Sequence, residues 1–308
     1  MIEKKDLTAN TCLDPSVKKA AYYDPYVTSG VHPMDDLLRM ERMPHIWCPT
    51  CGIGLAVTAF TAALEKAKID PNKIAIVSGI GCTGRVAGYV KLDSFHTTHG
   101  RAIAFGTGIR VANPDIKVVV FSGDGDLIAI GGNHFIHAAR RNINMLVVCV
   151  NNFIYAMTGG QVAPTTPLAA YATTSPFGCV EPPFNIPYIA DSAGAVYVAR
   201  WTTLHVRRLT NSLTEALQKT GFSVVEAISP CGMYYSRINR LGDGLDMMRF
   251  YHDNVEIRNG EDTKNLDIGY QTKIICGKFV DRERPSYMER YNQWLSDVRG
   301  AKGEVPPS

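Results

Sequence analysis

Four short, uninterrupted apolar runs govern what this chain can fold into. They are "IAIVSGIG" (74–81), "KVVVFSGDGD" (117–126), "MLVVCVNN" (145–152) and "FSVVEAIS" (222–229). A strand with one wet face alternates apolar and polar residues, whereas a strand covered on both faces does not. Helical patterns separate the runs, over Gly52 to Lys68, Gly100 to Val111, Gly131 to Arg141 and Thr203 to Lys219, with a further strand in "AVYVAR" (195–200). Strands alternating with helices predict an α/β fold, a doubly wound and mostly parallel sheet. Ligands of such sheets bind beyond the carboxyl ends of the strands. The chemistry should therefore follow each apolar run, where this sequence places Gly, Asp, Asn and Cys.

Composition narrows the class. The chain has 308 residues, 45% hydrophobic and 20% charged, with a net charge of +3. That charge is too small to argue for nucleic acid or an anionic membrane surface. No apolar run reaches the ~18 residues that span a bilayer, and "MIEKKDLTAN" has no secretory apolar stretch. A cytoplasmic protein is expected, in which stable disulfides are rare. Residues 1–46 read as an irregular arm with a short helix over Met34 to Met43. Residues 47–230 form the α/β domain. Residues 231–308 are a C-terminal extension with a short strand at "KIIC" (273–276) and a last helix near Tyr287 to Arg299.

The runs at 117 and 145 belong together. Gly123-Asp124-Gly125 ends one strand and Asn151-Asn152 ends the next, and the helix between them returns the chain to the same sheet edge. Asp124 offers a carboxylate and Asn152 an amide oxygen, hard ligands suited to Mg²⁺ beside a phosphate. Gly123 and Gly125 allow a tight turn close to a diphosphate. Two unrelated turns would also give these dipeptides, but strand context, order and spacing favour a single site.

Eight cysteines remain to be placed. Cys48 and Cys51 form a Cys-x-x-Cys, Cys82 follows one strand and Cys231 another. Four thiolates suit either Zn²⁺ or a [4Fe–4S] cluster, and spacing does not separate the two. The Cys-x-x-Cys after Trp47 also reads as a dithiol redox site, which would need a strand before it. Cys149 and Cys276 lie inside apolar strands and read as core, while Cys12 and Cys179 sit in loops without an evident partner. Gly79-x-Gly81-x-x-Gly84 satisfies a dinucleotide fingerprint, but a lone match is weak.

The Gly-Asp-Gly and Asn pair resembles the thiamine diphosphate motif. Taken with "WCPTCG", "SGIGCTGR", "FHTTHGRAIAFGTGIRVANP", "YAMTGGQVAPTTP" and "SPC", in that order over roughly residues 44 to 290, the chain resembles β-subunits of 2-oxoacid:ferredoxin oxidoreductases, most of all those acting on 2-oxoglutarate. The resemblance implies a thiamine diphosphate-binding α/β fold. It implies Mg²⁺ held by Asp124, Asn152 and the backbone carbonyl of Ile154, and a diphosphate against Gly123, Gly125, Thr158 and Gly159. It implies one [4Fe–4S] cluster on Cys48, Cys51, Cys82 and Cys231. Thr50 stands where the family usually has Gly, a change expected to matter little. Pyruvate enzymes tend to carry Asn at the place of Met157.

Further expectations follow from the resemblance. Arg85, three residues past Cys82, would take the distal carboxylate of a dicarboxylic substrate. His99 and Arg101 would be substrate or cofactor contacts, while His134 and His137 read as packing or surface residues. Arg200, His205, Arg207 and Arg208 read as a solvated basic face, with docking of an acidic ferredoxin as the rarer alternative. The reaction implied is reversible, coenzyme A-dependent oxidative decarboxylation of a 2-oxoacid, with electrons passed to ferredoxin. The chain has no second, duplicate sheet to supply a glutamate over the aminopyrimidine. An α-subunit is therefore expected to carry the catalytic carboxylate, in an (αβ)2 assembly. Competing readings are a non-redox thiamine-dependent decarboxylase subunit, a zinc-stabilised binding protein and a thioredoxin-like oxidoreductase.

Overall fold

The structure is a computed structural model that describes residues 34–302, so Cys12 lies outside the described residues. Helix α1 (Ile53–Ala67) precedes strand β1 (Ile74–Ser78), and a short α2 (Val86–Tyr89) leads to β2 (Asp93–His96). Then come α3 (Ala102–Ala112), β3 (Lys117–Gly123), α4 (Gly132–Arg141) and β4 (Met145–Asn151). A small hairpin, β5 (Ile154–Tyr155) and β6 (Gln161–Val162), precedes α5 (Ile186–Ser192), β7 (Tyr197–Thr202), α6 (Val206–Gln218) and β8 (Phe222–Ile228). The tail holds α7 (Gly244–Asn254), β9 (Val255–Ile257), β10 (Ile274–Asp281) and α8 (Tyr287–Lys302).

Eight strands form one sheet in the order β2-β1-β3-β4-β8-β7-β10-β9. All neighbouring pairs are parallel except β10 with β7. The mostly parallel, doubly wound sheet expected from the apolar runs is therefore observed. Within β3, Val119 and Phe121 join a core shared with α1 and α6, while Val118 and Val120 join a core on the other face with α3 and α4. A strand packed between two helical layers needs apolar residues at every position, and the uninterrupted runs follow from that.

Several local expectations change. The helix expected over Met34 to Met43 is two 3₁₀ turns, Asp35–Leu37 and Met40–Arg42. Between them Leu38 is extended, because the backbone pairs with the segment after α2: Arg39 N–H donates to the Tyr89 carbonyl and Lys91 N–H to that of Leu37, both 2.8 Å. The tail contributes more than a short strand, since β10 runs to Asp281 and pairs with β7 in the main sheet.

Arg200 is not on a basic surface. It is 1% exposed within β7, its Nε donates to Glu226 Oε2 at 2.6 Å, and its Nη1 donates to the Leu266 carbonyl at 2.7 Å. Glu226 sits directly opposite it on β8, so each buried charge has its counterion. The second Glu226 oxygen accepts from the Asn151 amide at 2.8 Å, tying this pair to the end of β4. Of the supposed basic face only Arg207 and Arg208 stand exposed; His205 is half-buried against the Thr202 hydroxyl. Among the described residues no helix is long and apolar enough to cross a membrane.

Candidate active site

The chain switches direction between β1 and β3, with β2 on one side and β4 on the other. The carboxyl ends of β1, β3 and β4 surround a cavity of about 230 Å³ there, as the rule for open sheets predicts. Gly123, Asp124, Gly125, Asn152, Ile154 and Thr158 line it, together with His99 and, on the cysteine side, Cys82. Six of the seven expected cofactor contacts thus converge. Gly159 stands just behind, with a φ of 119° that a side chain would strain.

Asp124 is 2% exposed and burial is the main cause that lifts its carboxyl from 3.8 to about 6. The Thr165 hydroxyl and the N–H groups of Gly125 and Asn152 partly offset that rise. A buried carboxylate that lines the same cavity as an amide side chain offers oxygen donors of the kind a hard cation takes. The backbone supports the same reading. Phe153 adopts φ 65°, left-handed and unusual for a bulky residue. It is held there by Asn151 Oδ1, which accepts from Phe153 N–H at 3.1 Å, and by Thr166, whose hydroxyl donates to the Phe153 carbonyl at 2.6 Å. This kink sets the turn between Asn152 and Ile154. Gly125 also has a steric reason, since a Cβ there would meet the Tyr155 ring.

A second cavity, about 260 Å³, adjoins the first. Cys48, Cys51, Cys82 and Cys231 all line it. Burial, aided by the neighbouring thiols, pushes Cys51 up to about 12 and Cys82 up to about 11, and raises Cys231 as well. The Cys-x-x-Cys folds back through Cys51 N–H to the Cys48 carbonyl, 2.9 Å, and Trp47 Nε1 donates to the Cys82 carbonyl at 2.8 Å. Among the described residues no strand precedes Trp47, although α1 follows Cys51. A dithiol oxidoreductase needs a lowered thiol pKa, whereas burial raises that of Cys51, which speaks against the thioredoxin-like reading. Among the described residues no three His, Cys, Asp or Glu side chains are grouped so as to hold a single metal ion. The four thiols line one common cavity. Thr50 lies against Gly232 and Gly244, where an added Cβ would meet its side chain.

The remaining expected contacts are dispersed. Arg85 is exposed at the end of a 3₁₀ turn, Thr83–Arg85, and lines neither cavity. Arg101 is exposed and hydrogen-bonds His134 Nε2 on α4. Cys149 and Cys276 are core residues at 0% exposure, as expected. Cys179 is buried, its thiol directed at the Glu181 carbonyl at 3.5 Å. Thr165 and Asp126 escaped the sequence reading. Asp126 was visible as the second Asp of Gly-Asp-Gly-Asp, but no spacing rule assigned it a task.

The fold and this strand-end site define a thiamine diphosphate-dependent enzyme domain. Residues 79–227 match the family model for the thiamine pyrophosphate enzyme C-terminal, TPP-binding domain. The chain is 48% identical over 263 residues to the 2-oxoglutarate synthase subunit KorB of Methanothermobacter thermautotrophicus, covering 85% of this chain and 92% of that one. It is 46% identical to the protein of the same name from Methanocaldococcus jannaschii, covering 87% and 99%. A solved 2-oxoglutarate:ferredoxin oxidoreductase from Magnetococcus marinus superposes with a TM-score of 0.75 at 32% identity, covering 89% of this chain and 92% of that one. The chain belongs to the family of 2-oxoacid:ferredoxin oxidoreductase β-subunits.

Proposed function

We propose that this chain is the β-subunit of a 2-oxoglutarate:ferredoxin oxidoreductase. It would catalyse, with an α-subunit, the coenzyme A-dependent oxidative decarboxylation of 2-oxoglutarate to succinyl-CoA and CO2, reversibly. The observation that carries this reading is a shared wall. Cys82, Asn152, Ala156 and Met157 line both the thiol cavity and the Asp124 cavity. A group held by the four thiols would thus lie beside a cofactor held by Asp124 and Asn152.

The residues fit the implied groups. Asp124, Asn152 and the Ile154 carbonyl would hold Mg²⁺, with thiamine diphosphate against Gly123, Gly125, Thr158 and Gly159. Cys48, Cys51, Cys82 and Cys231 would hold a [4Fe–4S] cluster. Zinc draws four thiolates to about 2.3 Å from one point. Thiols set around a cavity suit a larger, polynuclear group better. Thiamine diphosphate supplies a carbanion for attack on the 2-oxo carbon, and the cluster accepts electrons singly. The chain's own part is to fix the diphosphate end through the β1, β3 and β4 termini and to shield the shared wall with Trp47 and Met157. In this scheme residues 47–230 carry both groups, 1–46 form an arm and 231–308 an extension that also supplies Cys231. Among the described residues no glutamate lines either cavity, which supports an α-subunit as the source of the carboxylate over the aminopyrimidine.

The test is anaerobic co-purification with the α-subunit, assayed on a panel of 2-oxoacids with coenzyme A and ferredoxin. Turnover should require both chains and favour 2-oxoglutarate. Full turnover by this chain alone, or a preference for pyruvate, would refute the assignment. Arg85 sharpens the substrate question. In the assembled enzyme, Arg85→Ala is expected to cut kcat/KM for 2-oxoglutarate about tenfold, the loss of one charge-assisted contact, and to leave pyruvate use within twofold. Equal losses on both substrates would remove Arg85 from the substrate site.

A further inference from the structure

The thiol cavity has a side that the proposed chemistry does not use. Cys82, Asn152, Ala156 and Met157 form the wall it shares with the first cavity. Ile46 and Met233 line only the thiol cavity, and they are 62% and 49% exposed. The four thiols differ in the same sense: Cys48 is exposed, Cys51 and Cys82 are half-buried and Cys231 is buried. A group on these thiols that takes electrons across the shared wall must release them on another side. The edge marked by Ile46, Cys48 and Met233 is where solvent, and so a second protein, reaches it.

The chain beside that edge carries positive charge. Met233 belongs to the helical turn Gly232–Ser236 that follows Cys231. From 233 to 240, Met233, Arg237 and Arg240 are exposed, whereas Tyr235, Ser236 and Asn239 are buried. The three exposed side chains therefore share one face. Its position is fixed: Ser236 N–H donates to the Cys231 carbonyl at 2.9 Å, and the Asn239 side chain exchanges two hydrogen bonds with the Tyr171 backbone, 2.8 and 3.0 Å. Among the described residues neither guanidinium has a hydrogen-bond or ion-pair partner. The acids that follow are engaged, Asp243 with the N–H groups that open α7 and Asp246 with Arg249 at 3.2 Å. The cysteine loop from His45 to Gly52 holds no acid at all. Arg207 and Arg208 are different, because they line neither cavity and the Arg208 guanidinium sits over the Trp201 ring, 5.6 Å from its centre.

We infer that the face of Ile46, Cys48, Met233, Arg237 and Arg240 is the docking surface for the electron acceptor, a small acidic iron–sulfur protein. Apolar contact and methionine at the centre with arginine beside it suit a transient protein interface, and unpaired positive charge steers an acidic partner onto it. One electron passes from the reduced cluster to one oxidised carrier at each docking. Two dockings clear the two electrons of each oxidative decarboxylation, and no atom is transferred. The inference rests on the reading of this chain as the cluster-bearing subunit, and it places docking on the Cys231 side instead of on α6.

The test uses the anaerobic complex of both subunits with a small acidic [4Fe–4S] ferredoxin. Calorimetry gives Kd, and reduction of a small one-electron dye reports the cluster without docking. The double variant Arg237→Glu, Arg240→Glu should raise Kd about 30-fold at low ionic strength, with a smaller difference at high salt. KM for ferredoxin should rise while dye reduction and the visible spectrum of the cluster stay as in the parent. Arg207→Glu with Arg208→Glu should leave Kd within twofold. An unchanged Kd in the Arg237, Arg240 variant would overturn the inference, and so would a loss confined to the Arg207, Arg208 variant. If the reversed variant loses dye reduction, Arg237→Gln and Arg240→Gln decide, each expected to raise Kd about fivefold, and no change in either overturns the surface. A parent complex that reduces the dye with 2-oxoglutarate but binds no ferredoxin would remove this partner and its surface. One that reduces neither would instead sink the oxidoreductase reading itself.

Discussion

Asp124→Asn is expected to weaken thiamine diphosphate and Mg²⁺ binding by about 100-fold or more, and to make the cofactor-free protein more stable at neutral pH. The two effects share one cause. The carboxylate is the only charged ligand of the proposed cation site, and a divalent ion bound through neutral oxygens alone loses most of its Coulomb attraction. Without the cation that same carboxylate is a buried charge. Burial raises its folded-state pKa from 3.8 to about 6, against the attraction of Thr165 and three backbone N–H groups. The folded protein thus keeps the proton up to about pH 6, whereas the unfolded chain releases it near 3.8. Stability falls as pH climbs through that window, and the penalty is complete above about pH 6. Removing the charge relieves about 3 kcal/mol at pH 7, or a rise in Tm of several degrees for a chain of this size. Below about pH 4 the variant and the parent should melt together. Calorimetry of the cofactor-free protein at pH 4 and pH 7, with cofactor titration at pH 7, checks both halves. A variant that binds the cofactor normally would take Asp124 out of the metal site. One that melts lower at pH 7 would show that the carboxylate stabilises the fold.

That opposition between binding and stability explains why some of the site was legible in sequence and some was not. The β3 and β4 runs had to be wholly apolar to fill two helical layers, so their boundaries and the polar residues just beyond them stood out. Strand β2 did not, because Asp93–His96 is a short edge strand with three exposed residues and no apolar face to reveal it. Arg200 was read into a basic surface because three other basic residues follow it closely. The corrective signal was Glu226, a lone charge in the apolar run "FSVVEAIS". One charge in each of two fully buried strands must be neutralised by the other, and the register places them opposite. Asp126 escaped for a different reason. Its partners Ile80, His99, Gly100 and Ser122 come from three separate stretches of chain, and only sheet order brings them to one carboxylate. The sequence lists the donors but carries no period or spacing that links them.

Cys231→Ser is expected to abolish the cluster and cut ferredoxin reduction by more than about 100-fold, while thiamine diphosphate binds within threefold of the parent. The separation follows from the cavities. Cys231 lines only the thiol cavity, whereas Asp124, Gly125 and Thr158 line only the other. Cys82 lines both, so a substitution there would blur the distinction. Serine preserves the volume of the thiol but is a poor ligand for iron. Burial and mutual proximity hold Cys51 at about 12 and Cys82 at about 11, so neither is ionised at neutral pH without a metal to displace its proton. Metal-free protein should therefore alkylate slowly at Cys51 and Cys82 at pH 7, and cluster assembly should release protons. Iron and sulfide analysis of the anaerobic complex, with a visible spectrum before and after Cys231→Ser, reads out the first expectation. Stoichiometric zinc without sulfide in the parent would replace the cluster with a structural metal. It would also leave the shared wall at Cys82 and Asn152 without an electron acceptor, and the oxidative reaction would then need another route for its electrons.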